Sequence, residues 1–136
     1  MLRNHRTAPL VERVLTVPDD FTVRRSGSHW VVVGHTGLFL IGKAGPSPEV
    51  DAERTAMGAH RLRSSLAEVL DSVPFVDPVL VSSVEGHVNG CAMVEPELLE
   101  SFVAHGPRVV SDPELLAIRT NLPTVVASIE RDGGFG

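Results

Sequence analysis

The residues able to do chemistry lie mostly in the first half of the chain. His29 and His35 flank one apolar run, and Lys43 follows the next. A metal site needs a full ligand set. Neither histidine has further ligands nearby, so a hydrogen-bonded or exposed histidine pair is expected. The loop Gly34-His35-Thr36-Gly37 has the glycines of a phosphate-binding loop. It lacks the helix and lysine that complete one, so a hairpin turn is expected.

Composition and charge limit the classes of protein to which this chain can belong. The chain has 136 residues, the size of one domain, and its 43% hydrophobic content is typical of globular proteins. The formal net charge of −5 disfavours broad binding to phosphate backbones. Arg24-Arg25 and the pair Arg61 and Arg63 hint at a local basic patch, and solvated faces explain them equally well. Cys91 is the only cysteine, so no intrachain disulfide can form, and a buried thiol is expected.

The N-terminal residues and the apolar runs bear on where the protein is located. The basic N-terminus is not followed by an apolar segment of the signal-peptide type. No apolar run approaches the ~20 residues that span a bilayer. These patterns predict a cytoplasmic protein without membrane association.

The elements that must position the candidate residues begin with a β-hairpin. His29–Gly34 and Leu38–Ile41 are β-rich runs joined by the glycine-containing loop. Both runs are almost entirely apolar, which predicts a sheet covered on both faces. Phe21–Arg24 alternates apolar and polar residues and predicts a further strand.

The remaining segments alternate between helix and strand patterns. Three- and four-residue spacing of apolar side chains predicts a helix over Glu49–Leu70. Strands follow at Phe75–Val81, with Pro78 near the start, and at Val88–Val94. Pro96 opens a short helix, and a short strand is predicted at Arg108–Val110.

The last helix is predicted to begin at a capping box of Ser111 and Glu114, and Pro123 is expected either to end it or to start another turn. The predicted fold class is therefore α/β (α+β), a mixed central β-sheet with a β-hairpin core and flanking helices. Residues 1–10 are expected to form a flexible tail, residues 11–130 one domain, and residues 131–136 a second flexible tail. Residues 11–17 are compatible with either a helix or a strand.

The hairpin stretch, residues 29–45, resembles the nuclease-related domain (NERD) family of the restriction-endonuclease-like PD-(D/E)xK superfamily. Members share a run of valines, a Gly-x-x-Gly turn, and a second apolar strand that ends in an acidic residue, a variable residue and a lysine. The stretch Asp77–Val81 and the elements after it look like the actinobacterial branch. The resemblance covers roughly residues 20–125. It implies a restriction-endonuclease-like fold and metal-assisted phosphodiester hydrolysis, in which two carboxylates hold Mg²⁺.

This chain departs from the family pattern at every key position. The first acidic position falls on His29, the second on Gly42, and the lysine position on Ala44. Lys43 comes one residue early, which in a strand points it to the opposite face unless a bulge at Gly42 re-aims it. Imidazole is a poor ligand for Mg²⁺. The resemblance therefore implies a degenerate member, a pseudoenzyme with no intact catalytic residue, metal site or cofactor.

Three functional hypotheses remain open. The first is an inactive nuclease-related domain that acts as an interaction module. A protein partner or homo-oligomer is favoured over nucleic acid because of the negative charge. Its candidate binding residues are Lys43, Arg24, Arg25 and Trp30. Another of the three hypotheses is a structural subunit that docks into a larger assembly through exposed apolar surface around Trp30 or the last helix.

The second hypothesis is a metal-dependent nuclease with a displaced active site. Glu49, Asp51 and Glu53 follow the hairpin and could supply the missing carboxylates beside Lys43, with Mg²⁺ as cofactor. The same three residues also suit the start of a helix, where negative charge is favourable.

Overall fold

A computed structural model of the chain describes residues 21–135. The expectations for residues 1–20, a tail followed by an undecided element, lie outside this range, as does Gly136. The elements are β1 (Thr22–Ser26), β2 (His29–Gly34), β3 (Gly37–Lys43), α1 (Pro48–Ala67), β4 (Val76–Val81), β5 (Gly86–Val88), β6 (Cys91–Val94), a 3₁₀ turn (Pro96–Leu98), α2 (Leu99–Ala104) and α3 (Asp112–Arg131). The predicted fold class, a mixed sheet with flanking helices, is confirmed.

The six strands form one sheet in the order β1-β2-β3-β4-β6-β5. The first three strands are antiparallel neighbours, as the predicted hairpin requires. Strand β4 is parallel to β3, and β6 is parallel to β4, whereas β5 runs antiparallel to β6. Parallel neighbours need a long crossover, and α1 provides it between β3 and β4. The carboxyl ends of β3, β4 and β6 therefore meet at one edge of the sheet.

Both faces of the sheet are covered, as the apolar runs predicted. On one face α1 and α3 pack on the strands, and on the other face the cover includes the short helix α2. Successive strand residues point to opposite faces. Val31 and Leu40 therefore face the long helices, and Val32 and Ile41 face α2. All four side chains are fully buried, and each such burial stabilises the fold by roughly 1.5–3 kcal/mol.

Two strand predictions were wrong. The run Val88–Val94 is not one strand, because Asn89 and Gly90 turn the chain between β5 and β6. Their φ angles of 50° and 79° are the left-handed pair that tight hairpins favour. Residues 108–110 form no strand either. The backbone N–H groups of Val109 and Val110 both donate to the carbonyl oxygen of His35, at 2.8 and 3.0 Å. This stretch therefore anchors the β2–β3 turn.

Two prolines, Pro78 and Pro123, occupy positions other than those predicted from the sequence. Pro123 lies inside α3, whereas it was expected to end the helix or to start another turn. Pro78 is the third residue of β4, but β6 pairs with β4 only from Val79 onward. The ladder on that side therefore begins after the proline. The capping box at the start of α3 is confirmed, since Ser111 Oγ accepts from the Glu114 N–H and the Glu114 carboxylate accepts from the Ser111 N–H.

The segment after α3 lies within residues 131–136, for which a flexible tail was expected. Asp132–Phe135, here named the strap, lies against α1, and the Phe135 side chain is only 6% exposed. The Arg61 guanidinium donates to the carbonyl oxygens of Gly134 and Asp132, which explains why the strap is held in place. None of the helices between residues 21 and 135 is both long and apolar enough to cross a membrane.

Candidate functional site

A small cleft lies where β2 begins, β3 ends and α1 passes above them. It has a volume of about 90 Å³. The side chains that line it belong to Ser28, His29, Lys43, Asp51, Arg54 and Thr55. The hairpin brings together His29 and Lys43, and the first two turns of α1 add Asp51, Arg54 and Thr55. The fold thus gathers two of the residues that the sequence singled out, together with one acidic residue of the displaced-site hypothesis.

The centre of this region is closed by His29 lying over Gly42. A Cβ atom at residue 42 would lie 2.9 Å from Thr55 Oγ1 and 3.1 Å from both Cδ2 and Nε2 of His29. Only a residue without a side chain therefore fits. The imidazole is held by contacts of Nε2 with Thr55 Oγ1 at 3.2 Å and of Nδ1 with Ser28 Oγ at 3.4 Å. An imidazole and a hydroxyl thus fill the space that the resemblance assigns to two carboxylates.

Burial determines the charge state of His29. Its side chain is 7% exposed, and burial lowers its pKa, while the negative charge of Asp51 opposes part of the shift. A lowered pKa favours the neutral imidazole, which has one donor and one acceptor nitrogen. The two hydroxyl contacts match that state.

The acidic residues of the displaced-site hypothesis are only partly brought together. Asp51 lines the cleft, but its Oδ2 accepts from the Gly45 N–H at 2.7 Å and so holds the loop after β3. Glu49 lines a neighbouring groove with Lys43, and Glu53 is exposed on α1. Among residues 21–135, no group of three or more His, Cys, Asp or Glu side chains could hold a metal ion.

The neighbouring groove lies at the carboxyl ends of β3, β4 and β6 and was not found from the sequence. It has a volume of about 600 Å³. Its lining is largely apolar and includes Ala44, Val81, Val84, Val88 and Met93. Crevices at the carboxyl ends of parallel strands commonly bind ligands. The strand directions that create this edge could not be derived from the sequence pattern.

The other candidate binding residues do not form one surface. Arg24 and Arg25 are consecutive in β1 and therefore point to opposite faces. The Arg25 guanidinium lies 5.4 Å from the centre of the Trp30 ring, in a cation–π contact. Trp30 itself is 8% exposed and belongs to the core on the α2 face.

Cys91 has the role that its isolation suggested. It is fully buried, and burial raises the pKa of its thiol to about 12. A protonated, buried thiol is a poor nucleophile.

Comparison with known proteins assigns no family, since no family model, no curated protein and no solved structure matches the chain.

Proposed function

We propose that this protein is a non-catalytic interaction domain built on a nuclease-like fold of the nuclease-related domain type, and that its partner is a protein. The observation that carries the proposal is the closure of the hairpin site by His29, Gly42 and Thr55. Magnesium prefers anionic oxygen ligands. At the two family carboxylate positions the site offers a buried imidazole and a glycine, so the metal-assisted route lacks its ligands.

Charge and surface support a protein partner over nucleic acid. The net charge of −5 opposes the approach of a phosphate backbone. The two arginines of β1 are divided between the faces of the sheet, which prevents them from forming one basic patch. The groove beside Lys43 is largely apolar, a surface that suits side chains of another protein.

One observation favours the alternative, a nuclease with a displaced site. Lys43 and Asp51 line the same cleft, which is the pairing that such a site would use. Against it, one oxygen of Asp51 is engaged by a backbone N–H, and residues 21–135 supply no three-ligand cluster.

A cleavage assay separates the two functions. The protein is incubated with single- and double-stranded DNA and RNA in the presence of Mg²⁺ or Mn²⁺. The expected result is no cleavage above that of a Lys43→Ala and an Asp51→Asn variant. Robust cleavage by the wild type that both variants lose would overturn the proposal and establish the nuclease.

The groove itself is tested by matched charge substitutions. Val84 lines the groove and is 60% exposed, whereas Val109 is 55% exposed and lies outside it. For a partner identified by crosslinking at the groove, Val84→Asp should weaken binding at least tenfold, because a buried carboxylate without a partner is costly. Val109→Asp should leave the affinity unchanged. If both substitutions changed the affinity equally, the groove would not be the surface that binds the partner.

A further inference from the structure

The strap lines two cavities next to the cleft at His29, of about 310 and 290 Å³. The first shares His29 with the cleft, and the second shares Arg54 with it. Both are lined by Gly133, Gly134 and Phe135 of the strap. Displacement of the strap would therefore join space that now lies in two cavities.

The contacts of the strap are those of a bound peptide. Arg61 Nη1 donates to the Gly134 carbonyl oxygen at 2.7 Å, and Nη2 donates to the Asp132 carbonyl oxygen at 3.2 Å. The Phe135 ring lies against Gly58 and 6.2 Å from the His29 ring. A Cβ atom at Gly58 would be 3.1 Å from the Phe135 carbonyl oxygen and 3.2 Å from its Cδ1. The Arg61 guanidinium thus binds backbone carbonyl oxygens, and the aromatic ring of Phe135 occupies the space that the missing side chain of Gly58 leaves open.

Two glycines of the strap turn the chain away from α3. Gly133 and Gly134 have φ angles of 114° and 81°, in the region that glycine adopts most readily. Beyond the turn that closes α3, the strap is held by the Arg61 bonds and by burial of one ring. Both kinds of contact can be made equally well by another chain.

We propose that the strap is an intramolecular ligand that occupies a peptide-binding cleft above His29 and gives way to a partner peptide of the same chemistry. That chemistry is an aromatic residue preceded by small residues whose carbonyl oxygens reach Arg61. The proposal rests on the proposed function and goes beyond it, because it adds a second binding surface, separate from the groove beside Lys43, and names the class of protein segment that this surface binds. Because a tethered segment acts at an effective concentration in the millimolar range, it keeps the cleft closed to weak ligands.

The test uses the full chain and a fluorescently labelled peptide of residues 129–135, followed by anisotropy. Phe135→Ala removes the ring from the slot and leaves the receptor intact. Phe75→Ala is the matched control, because Phe75 is 66% exposed and lies away from the strap. The Phe135→Ala variant is expected to bind the peptide at least tenfold more tightly than the wild type and the control. A peptide with alanine in place of its phenylalanine should bind at least tenfold more weakly.

A second variant keeps the test decisive if Phe135→Ala does not fold. Gly133→Ala strains the strap at its positive φ, and its new methyl group meets nothing within 4 Å. Such strain is worth about 1–3 kcal/mol, so peptide binding should rise roughly fivefold or more above that of the wild type. A folded Phe135→Ala variant that binds no better than Phe75→Ala, or an unchanged affinity in Gly133→Ala, would overturn the strap proposal. Metal-dependent cleavage would instead refute the proposed function and leave the titration unaffected.

Discussion

Replacing Gly42 by alanine is expected to destabilise the fold, because residue 42 determines how His29 closes the hairpin site. The added Cβ atom would lie 2.9 Å from Thr55 Oγ1 and 3.1 Å from two atoms of the imidazole. Real Cβ atoms essentially never make contacts as short as 2.9 Å, and a contact of 3.1 Å is shorter than nine in ten of those they make. Both neighbours are buried, so neither can move aside without disturbing the packing of α1 on the sheet.

The magnitude follows from two opposing effects. Overpacking a well-filled site costs about 1–3 kcal/mol. Alanine in a strand recovers about 0.5–1 kcal/mol relative to glycine, because glycine loses more backbone freedom on folding. The middle of each range gives a net loss of about 1 kcal/mol, and the extremes are about 0 and 2.5 kcal/mol. For a domain of this size, a loss of about 1 kcal/mol lowers Tm by roughly 3–5 °C.

Thermal and urea unfolding followed by circular dichroism measure the loss. Gly106→Ala is the control, since its Cβ atom would lie 3.6 Å from Thr36 Cβ, an ordinary contact, and it should be neutral or slightly stabilising. In Gly42→Ala/Thr55→Ala the shortest contact is gone, so the double variant should lose less than the sum of the single variants. A Gly42→Ala variant as stable as the wild type would refute the argument that the site is closed by close packing.

Three further outcomes are expected. The free energy of unfolding should fall as the pH drops below about 6.5, because His29 takes up a proton in the unfolded chain at a higher pH than it does when buried in the folded protein. His29→Gln should make this fall with pH less steep. His60→Gln, a substitution on an exposed part of α1, should leave it unchanged. Cys91 should resist alkylation at pH 8 until the protein is unfolded in urea, and fast labelling of the native protein would contradict its burial. Ser111→Ala should cost about 0.5–2 kcal/mol. The backbone N–H of Ser111, and after it the Ser111 hydroxyl, lower the pKa of Glu114; because alanine removes only the hydroxyl, a small part of that cost should disappear as the pH falls below about 4.5 and through the lowered pKa.

The parts of the fold that the sequence predicted are those specified by local patterns. The β2–β3 hairpin has a glycine-assisted turn between two apolar runs, and α1 has a clear helical period. The capping box at Ser111 depends on side chains three residues apart, which the sequence displays directly. The strand predicted over Val88–Val94 failed on a local feature, the Asn89-Gly90 turn, whereas the strand predicted over residues 108–110 failed on a distant partner. Residues 108–110 look like a strand, but the carbonyl group of His35, more than 70 positions earlier, binds them in a loop.

Only part of the candidate site could be predicted from the sequence, because some of its residues belong to elements that are distant from the hairpin along the chain. His29, Gly42 and Lys43 could be singled out because the hairpin fixes their neighbourhood. The contribution of α1 depends on how its crossover lies on the sheet, so Thr55 and Arg54 were missed. Phe135 was missed because a glycine-rich segment indicates flexibility, and nothing near it in the sequence shows that Arg61 and Gly58 form its receptor.

The strands of the sheet differ in how well they are protected against local opening. Two 20-residue helices cover one face of the sheet, whereas the three-residue strand β5 lies at one edge and has few hydrogen bonds to lose. Regions with few buried contacts open at lower free energy than the core. Amide protons of the β5–β6 hairpin should therefore exchange with deuterium through small fluctuations, and those of β2 and β3 only when the whole domain comes apart. The groove beside β6 would in this way border the most yielding part of the sheet, so its shape can adjust while the hairpin beneath His29 stays fixed.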